Sequence, residues 1–535
     1  PLLVRPLHLP VQPFYFLAIT AAGGSSRLVL PRVEWFDPTI GVMNSAQKPK
    51  RLTVFASGLG GDIDDGGSAR PYRFLVKGGD DLRLDQRLEM IFACINTALR
   101  GATSVVTSSG GTEESLPLRI RTYSVVPVSK QVGLVEWVPN AAPMKLLIER
   151  SMREEFEARL LSAGGSSGSA GGGGPGGRPP QQQGTSAGAA GPFTILTHPT
   201  TVAYHEYLTS LDASLPSPYQ RYLQAFHILR NSDGGHTRRV QQWIAGVNAN
   251  YLRNALMQQA RSHAGWYSIR RRFAQSTAVA SLAGYVLGVG DRHLDNFLID
   301  TTSGELVGID FGHAFGSATM ALPIPELAPF RLTPQMQHAF GVVGLDGIVK
   351  PTMLLTLSAV QRCKPLLMGL LATFLTEPLL NWDKPPTKAA ATRLELTAAD
   401  VEGGVAAGTS GSHTEFKIET ARRKLALEDP MDVLSAEVRR NPHVQRMKGV
   451  RDGVIRVIAG EPKPRAAAVD DVVGVARDGS AAEEEGNHQT TSSRQRALTT
   501  ISVQDVQRWH VEALVSLATD ENILGRAWAG WSPFF

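Results

Sequence analysis

The spacing of apolar residues divides the chain into stretches of different period. Between 29 and 138, short apolar runs at 33–35, 51–55, 74–77, 122–127 and 133–138 predict strands. Leu88, Ile91, Phe92, Ile95 and Leu99 recur among them at helical spacing. The pattern is a small sheet with one helix, ending at Pro139-Asn140, a break where two lobes could hinge. Beyond it the period is helical, with helices predicted over 144–161, 219–229, 240–257, 266–287 and 335–380. Within the last of the helices before the polar loop, the run 273–287 is apolar but carries Gln275, Ser276, Thr277 and Ser281 and leads straight into that loop. It is therefore read as a buried helix and not a membrane span.

Three stretches have no period. The first, 162–191, is nearly all Gly, Ser, Ala, Pro and Gln, and 385–412 and 462–496 are also of low complexity. None buries enough apolar surface to fold, so all three are predicted to be disordered. Residues 413–461 between the last two predict basic helices. In the tail, 497–535, Val511, Leu514, Val515 and Ala518 sit at helical spacing, and Trp528, Trp531, Phe534 and Phe535 crowd the end. Such a terminus must pack against something. The fold class is α+β and bilobal: a β-rich lobe over 1–138, a hinge and first helix over 139–161, a mostly helical lobe over 192–384, then the basic segment and the tail.

Charge and cysteine content narrow the picture only a little. A net charge of +5 over 535 residues permits anionic partners without demonstrating a nucleic-acid surface. The clusters Arg270-Arg-Arg272 and Arg422-Arg-Lys424 are read as solvated helix faces. Cys94 and Cys363 stand far apart in apolar contexts, which suggests a reducing compartment and neither a disulfide framework nor a zinc site. No secretory signal is visible, and a chain that opens on Pro is expected to be a piece of a longer one.

The chemistry concentrates in Gly288-Val-Gly-Asp-Arg-His-Leu-Asp-Asn-Phe-Leu-Ile-Asp300 and Gly308-Ile-Asp-Phe-Gly312. Asp291 and Asn296 have the spacing of the base and the metal-binding Asn of a protein kinase, and Asp310 opens an Asp-Phe-Gly one hairpin later. Phosphoryl transfer needs charge neutralisation more than covalent help. An amide oxygen and a carboxylate, Asn296 and Asp310, would hold magnesium against the phosphates, while Asp291 takes or orients the acceptor's proton. No G-x-G-x-x-G precedes. Its place is taken by the polar turn Met43-Asn-Ser-Ala-Gln-Lys-Pro-Lys50, which resembles the turn of the lipid-kinase-like superfamily whose Ser and basic residues reach the phosphates; that resemblance implies Ser45 and Lys50 as the candidates for phosphate contact. Lys77 ends a predicted strand and could pair with phosphates if a carboxylate fixes it, Asp85 first and Asp80 second. An adenine ring needs a flat apolar slot beside extended backbone. Trp137 as wall, Glu136 and Val138 as backbone contacts and Tyr123 at the back fit that need.

The triplet Asp291-Arg292-His293 inverts the usual kinase order. With Phe74-Leu-Val-Lys-Gly-Gly, Arg121-Thr-Tyr-Ser-Val-Val-Pro, Gly308-Ile-Asp-Phe-Gly-His-Ala-Phe-Gly-Ser-Ala-Thr, Pro325-Glu-Leu-Ala-Pro-Phe-Arg-Leu-Thr and Asn522-Ile-Leu-Gly-Arg-Ala-Trp-Ala-Gly-Trp, it resembles the phosphatidylinositol-3-kinase-related protein kinases. The resemblance covers roughly 33–149, 192–380, 416–458 and the last thirty or so residues. It implies a PI3/PI4-kinase type fold with a C-terminal FATC segment, magnesium-ATP (manganese as a possible substitute) and transfer to Ser or Thr followed by Gln. It also implies a helical-repeat scaffold ahead of this stretch. Asp291 would be the base, His293 a group near the transferred phosphate, Asn296 and Asp310 the metal ligands, and Lys77 the phosphate contact oriented by Asp85. The best-matching branch implies recruitment to DNA ends through a Ku-type heterodimer, end joining of double-strand breaks, and the nucleus. The damage-checkpoint and target-of-rapamycin branches, and an inactive scaffold, are the alternatives. A lipid kinase is disfavoured, because 313–324 holds no Lys or Arg to grip a phosphorylated headgroup. The turn at 44–50 is less basic at its centre than the family leads one to expect.

Overall fold

A computed structural model describes residues 32–43, 48–57, 70–107, 118–164, 194–230, 235–375, 410–447, 449–459 and 502–535. Strands β1 (Arg32–Phe36), β2 (Gly41–Val42), β3 (Lys50–Ser57), β4 (Arg70–Gly78), β5 (Val125–Pro127) and β6 (Val132–Glu136) form one antiparallel sheet in the order β1-β3-β4-β6-β5, with β2 also on β3. Across this sheet packs the helix Arg83–Thr107, with Leu88, Ile91, Ile95 and Leu99 wholly buried at the predicted spacing. Its inward face also carries Asp85, Glu89 and Asn96, one polar stripe four and seven residues apart.

That stripe corrects one strand. The expected strand 122–127 pairs only over β5, because the segment before it is held by side chains. Asn96 Nδ2 donates to Ile120 O (2.8 Å) and Asn96 Oδ1 accepts from Ile120 N (2.7 Å). Glu89 accepts from Tyr123 N (3.2 Å), and Glu136 from Ser124 N (2.8 Å). Buried backbone polar groups need partners, and here they come from a helix and a strand end instead of a ladder.

After the turn at Asn140, a second sheet of β7 (Ala141–Pro143), β8 (Phe297–Asp300) and β9 (Leu306–Gly308) begins the helical lobe. Asn140 O accepts from Thr301 N (2.8 Å), tying the hinge to the end of β8. The helix His263–Leu287 runs through the core with Phe273, Ala274, Ala278, Val279, Leu282 and Ala283 fully buried, and stops at Gly288 in the left-handed conformation (φ 58°). Among the described residues no single helix is long and apolar enough to cross a membrane. The helix expected over 240–257 is two, Gly235–Ala245 and Tyr251–Gln259. The chain breaks at Gly246, and Asn248 then holds the turn, accepting from Asn250 N (3.1 Å) and donating to Glu155 (2.8 Å).

Neither basic cluster is a solvated face throughout. Arg270, Arg271 and Arg272 are half-buried. Lys424 is buried and paired with the equally buried Glu437 at 3.3 Å. The tail helix Val503–Thr519 opens on a Ser502/Asp505 capping box, and the aromatic end packs as predicted: Phe534 and Phe535 are fully buried, and Trp528 stacks on Tyr219.

Candidate active site

The loop between Gly288 and β8 brings the candidate residues together. Arg292 is buried and donates to the carbonyls of Gly290 (2.9 Å), Ile309 (2.9 Å) and Asp310. One guanidinium thus fastens the catalytic loop to the Asp-Phe-Gly turn. Asn296 Nδ2 donates to Asp291 O (2.8 Å), and Asn296 O accepts from Ile309 N (3.0 Å). Asp291 and Asp310 both adopt left-handed backbone, φ 56° and 58°. For non-glycine residues that conformation costs roughly 1–3 kcal/mol and clusters at functional sites. A side chain at Gly290 would collide with Ala318 and Glu326, which explains the glycine there.

Lys77 Nζ reaches Asp310 Oδ2 at 4.0 Å. Asp85, expected to orient Lys77, accepts instead from Phe311 N (3.0 Å). It holds the Asp-Phe-Gly turn and bears on Lys77 only through its charge. Burial, reinforced by the neighbouring Asp310, pushes Asp85 up to about 6. Phe311 packs edge-on to Phe92 at 5.4 Å and lies under the Arg292 guanidinium. His293 is half-buried; burial lowers its basicity, and the carboxylates of Asp291, Asp295 and Asp310 oppose that shift.

The residues expected to form a nucleotide slot lie at and beyond the end of β6. Glu136 N–H is taken by Ser124 O and Trp137 N–H by Arg73 O, both at 2.8 Å, whereas Val138 N–H has no protein acceptor among the described residues. That makes Val138 and not Glu136 the backbone donor open to a base edge. Trp137 is half-buried, with the Arg51 guanidinium 5.8 Å from its ring. Tyr123 is buried within the fields of Glu89, Asp85 and Asp310. Lys50 opens β3 opposite Val76 and is exposed. Ser45 lies outside the described residues.

The donor set fits a hard divalent cation. Asn296 Nδ2 is committed to Asp291 O, which leaves Oδ1, and Asp310 supplies a carboxylate. Among the described residues no group of three His, Cys, Asp or Glu is placed to hold a metal by itself. Magnesium asks for no more than one or two carboxylates plus substrate phosphates.

Four residues of the site were not identified from the sequence. Glu89 is fully buried, and burial holds its carboxyl well above the usual range. Glu326, in the Pro325–Arg331 run, accepts from Asp291 N at 2.6 Å; burial, with the Asp291 charge adding, raises it to about 7. Arg331 donates to the carbonyls of Trp531 (2.5 Å), Ser532 (2.7 Å) and Phe535 (3.2 Å). Trp531 Nε1 donates to Asp291 Oδ1 at 3.3 Å. Glu89 had a signal, a carboxyl four residues after Asp85 on the apolar face of a predicted helix. Trp531 had none, since its partner lies 240 positions away.

Comparison with known proteins finds two family matches along the chain. Residues 71–384 match the phosphatidylinositol 3- and 4-kinase family, and residues 510–535 match the FATC domain. The DNA-dependent protein kinase catalytic subunit of Dictyostelium discoideum is 29% identical over 502 residues, 93% of this chain and 10% of that protein. The serine/threonine-protein kinase TOR of Oryza sativa subsp. japonica is 29% identical over 354 residues, 66% of this chain and 11% of that protein. The solved FAT and kinase domain of CtTel1 aligns with 84% of this chain and 24% of its own at 21% identity, with a TM-score of 0.47. The chain thus spans about a tenth of the length of the curated relatives it matches.

Proposed function

This chain belongs to the phosphatidylinositol 3- and 4-kinase family and carries a FATC domain, and from that premise we propose that it transfers the γ-phosphate of ATP to serine and threonine hydroxyls of proteins. One observation carries the reading: Lys77, Asp310, Asn296 and Asp291 converge through a chain of direct contacts from the sheet to the catalytic loop. Asn296 and Asp310 would hold magnesium, which when bound neutralises phosphate charge. Lys77 bears on the phosphates, and Val138 N–H with the Trp137 ring receives the adenine. Asp291, held from both sides of its backbone, accepts the acceptor's proton as oxygen attacks phosphorus. The run from His313 to Ile324, free of Lys and Arg, favours a protein hydroxyl over a lipid headgroup.

Relatives that cover nearly the whole chain include DNA-dependent protein kinase catalytic subunits. This supports a role in double-strand-break repair by end joining in the nucleus, with recruitment to DNA ends through a Ku-type heterodimer outside this stretch. A second reading, a target-of-rapamycin kind of kinase, is supported by a relative of the same identity over two thirds of the chain. The discriminating assay measures labelled phosphate transfer from ATP to Ser-Gln and Ser-Ala peptides by the full-length protein, with and without linear double-stranded DNA. Transfer to Ser-Gln that rises with DNA ends is the expected result. Transfer indifferent to DNA would give the second reading the advantage.

A further inference from the structure

The end of the FATC segment reaches the candidate base itself. Trp531 is nearly buried, packed on Ala318 and Leu322 of the segment after the Asp-Phe-Gly turn, with Ala527 and Trp528 beside it. Its indole N–H points at Asp291 Oδ1 (3.3 Å). The indole is held from behind: Arg331 Nη1 donates to both Trp531 O (2.5 Å) and Arg292 O (3.4 Å), so one guanidinium grips the tail and the catalytic loop together. On the other side Glu326 holds Asp291 N. Asp291 is thereby fixed at its backbone by Glu326 of the Pro325–Arg331 run and at its carboxylate by the tail.

We propose that Trp531 is a positioning residue for the reaction: its indole N–H fixes one carboxylate oxygen of Asp291, so that the other faces the acceptor hydroxyl. The inference rests on the kinase reading above. In the step it serves, the acceptor oxygen forms a bond to the γ-phosphorus and the bond to the β,γ-bridging oxygen breaks. The acceptor's proton passes to the free oxygen of Asp291, and ADP carries away the electron pair. An indole is suited to this task because it donates without being able to accept or to ionise, so it cannot compete for that proton. A carboxylate on a strained loop gains the most from such a fixed donor, since small misplacement of a reacting group costs rate steeply.

The test is Trp531→Phe in the full-length protein, assayed by steady-state phosphate transfer to a Ser-Gln peptide. Phenylalanine keeps most of the packing and removes the donor. The expected result is a kcat lower by roughly 10- to 100-fold, with KM for ATP and peptide and the melting temperature unchanged. A kcat equal to wild type would overturn the proposal, as would a loss carried by KM or by melting alone. Where Trp531→Phe does not fold, replacement of Trp531 by benzothienylalanine, an isostere with sulfur in place of N–H, gives the same two outcomes. Wild-type protein that transfers no phosphate would sink the kinase reading; active wild type with an unaffected variant would sink only the role of Trp531.

Discussion

Glu326 shows how one half-buried side chain links the loop at Asp291 to stability. Its carboxyl sits among Asp291, Arg292 and Arg331 and keeps its proton up to about pH 7, against an ordinary 4.5. Between those values the folded chain binds more protons than the unfolded one, so stability falls as pH rises. The contribution is whole below about 4.5 and is lost on passing 7. Glu326→Gln removes it while leaving an oxygen to accept from Asp291 N. The expected outcome is a melting temperature that declines less than wild type between about pH 5 and about pH 8, the difference integrating to about 3 kcal/mol. A decline parallel to wild type would show that Glu326 does not carry this dependence. At this scale the sequence was informative where spacing is local. Asp291, Asn296 and Asp310 could be read from one short stretch, whereas Glu326 and Trp531 meet Asp291 only through the fold. Asp85 was assigned to Lys77 by proximity along the chain, but a backbone N–H of the Asp-Phe-Gly turn claims its carboxyl.

Among the elements, those after the second low-complexity stretch were legible as basic helices but not as parts of the site. Asn441 is fully buried and donates to the carbonyls of Thr319 (2.8 Å) and Leu322 (2.9 Å) in the segment following the Asp-Phe-Gly turn. The same side chain accepts from His443 N and Val444 N, capping the helix Pro442–Arg446. Asn441→Ala would leave two buried carbonyls and a helix start without partners. A loss on the order of 3 kcal/mol is expected in denaturant unfolding, with a lower kcat. A variant as stable as the parent would show that the segment is held by other means. Periodicity predicted the helices well, because one apolar face is a local signal. It failed at Gly246, where apolar spacing continues across a break set by side-chain hydrogen bonds, and at 122–124, where side chains replace a ladder.

Across the molecule, the larger sheet lies before Asn140 and most helices after it, and the three low-complexity stretches lie almost wholly outside the described residues. The sequence did not show that three distant segments, at Pro325–Arg331, around Asn441 and at the FATC end, close on one loop. Arg119 and Arg121, beside the small sheet, are joined to Glu305 (2.8 and 3.2 Å) on the β8–β9 turn, so the lobes are pinned close behind the catalytic loop. In the proposed reaction Asp310, set opposite Lys77 and fastened through Arg292 to the loop of Asp291, serves phosphoryl transfer. The most direct test is the rate at which full-length Asp310→Ala transfers labelled γ-phosphate, measured beside wild type of equal melting temperature. A loss on the order of 10³-fold or more is expected; undiminished transfer would contradict the assignment of Asp310.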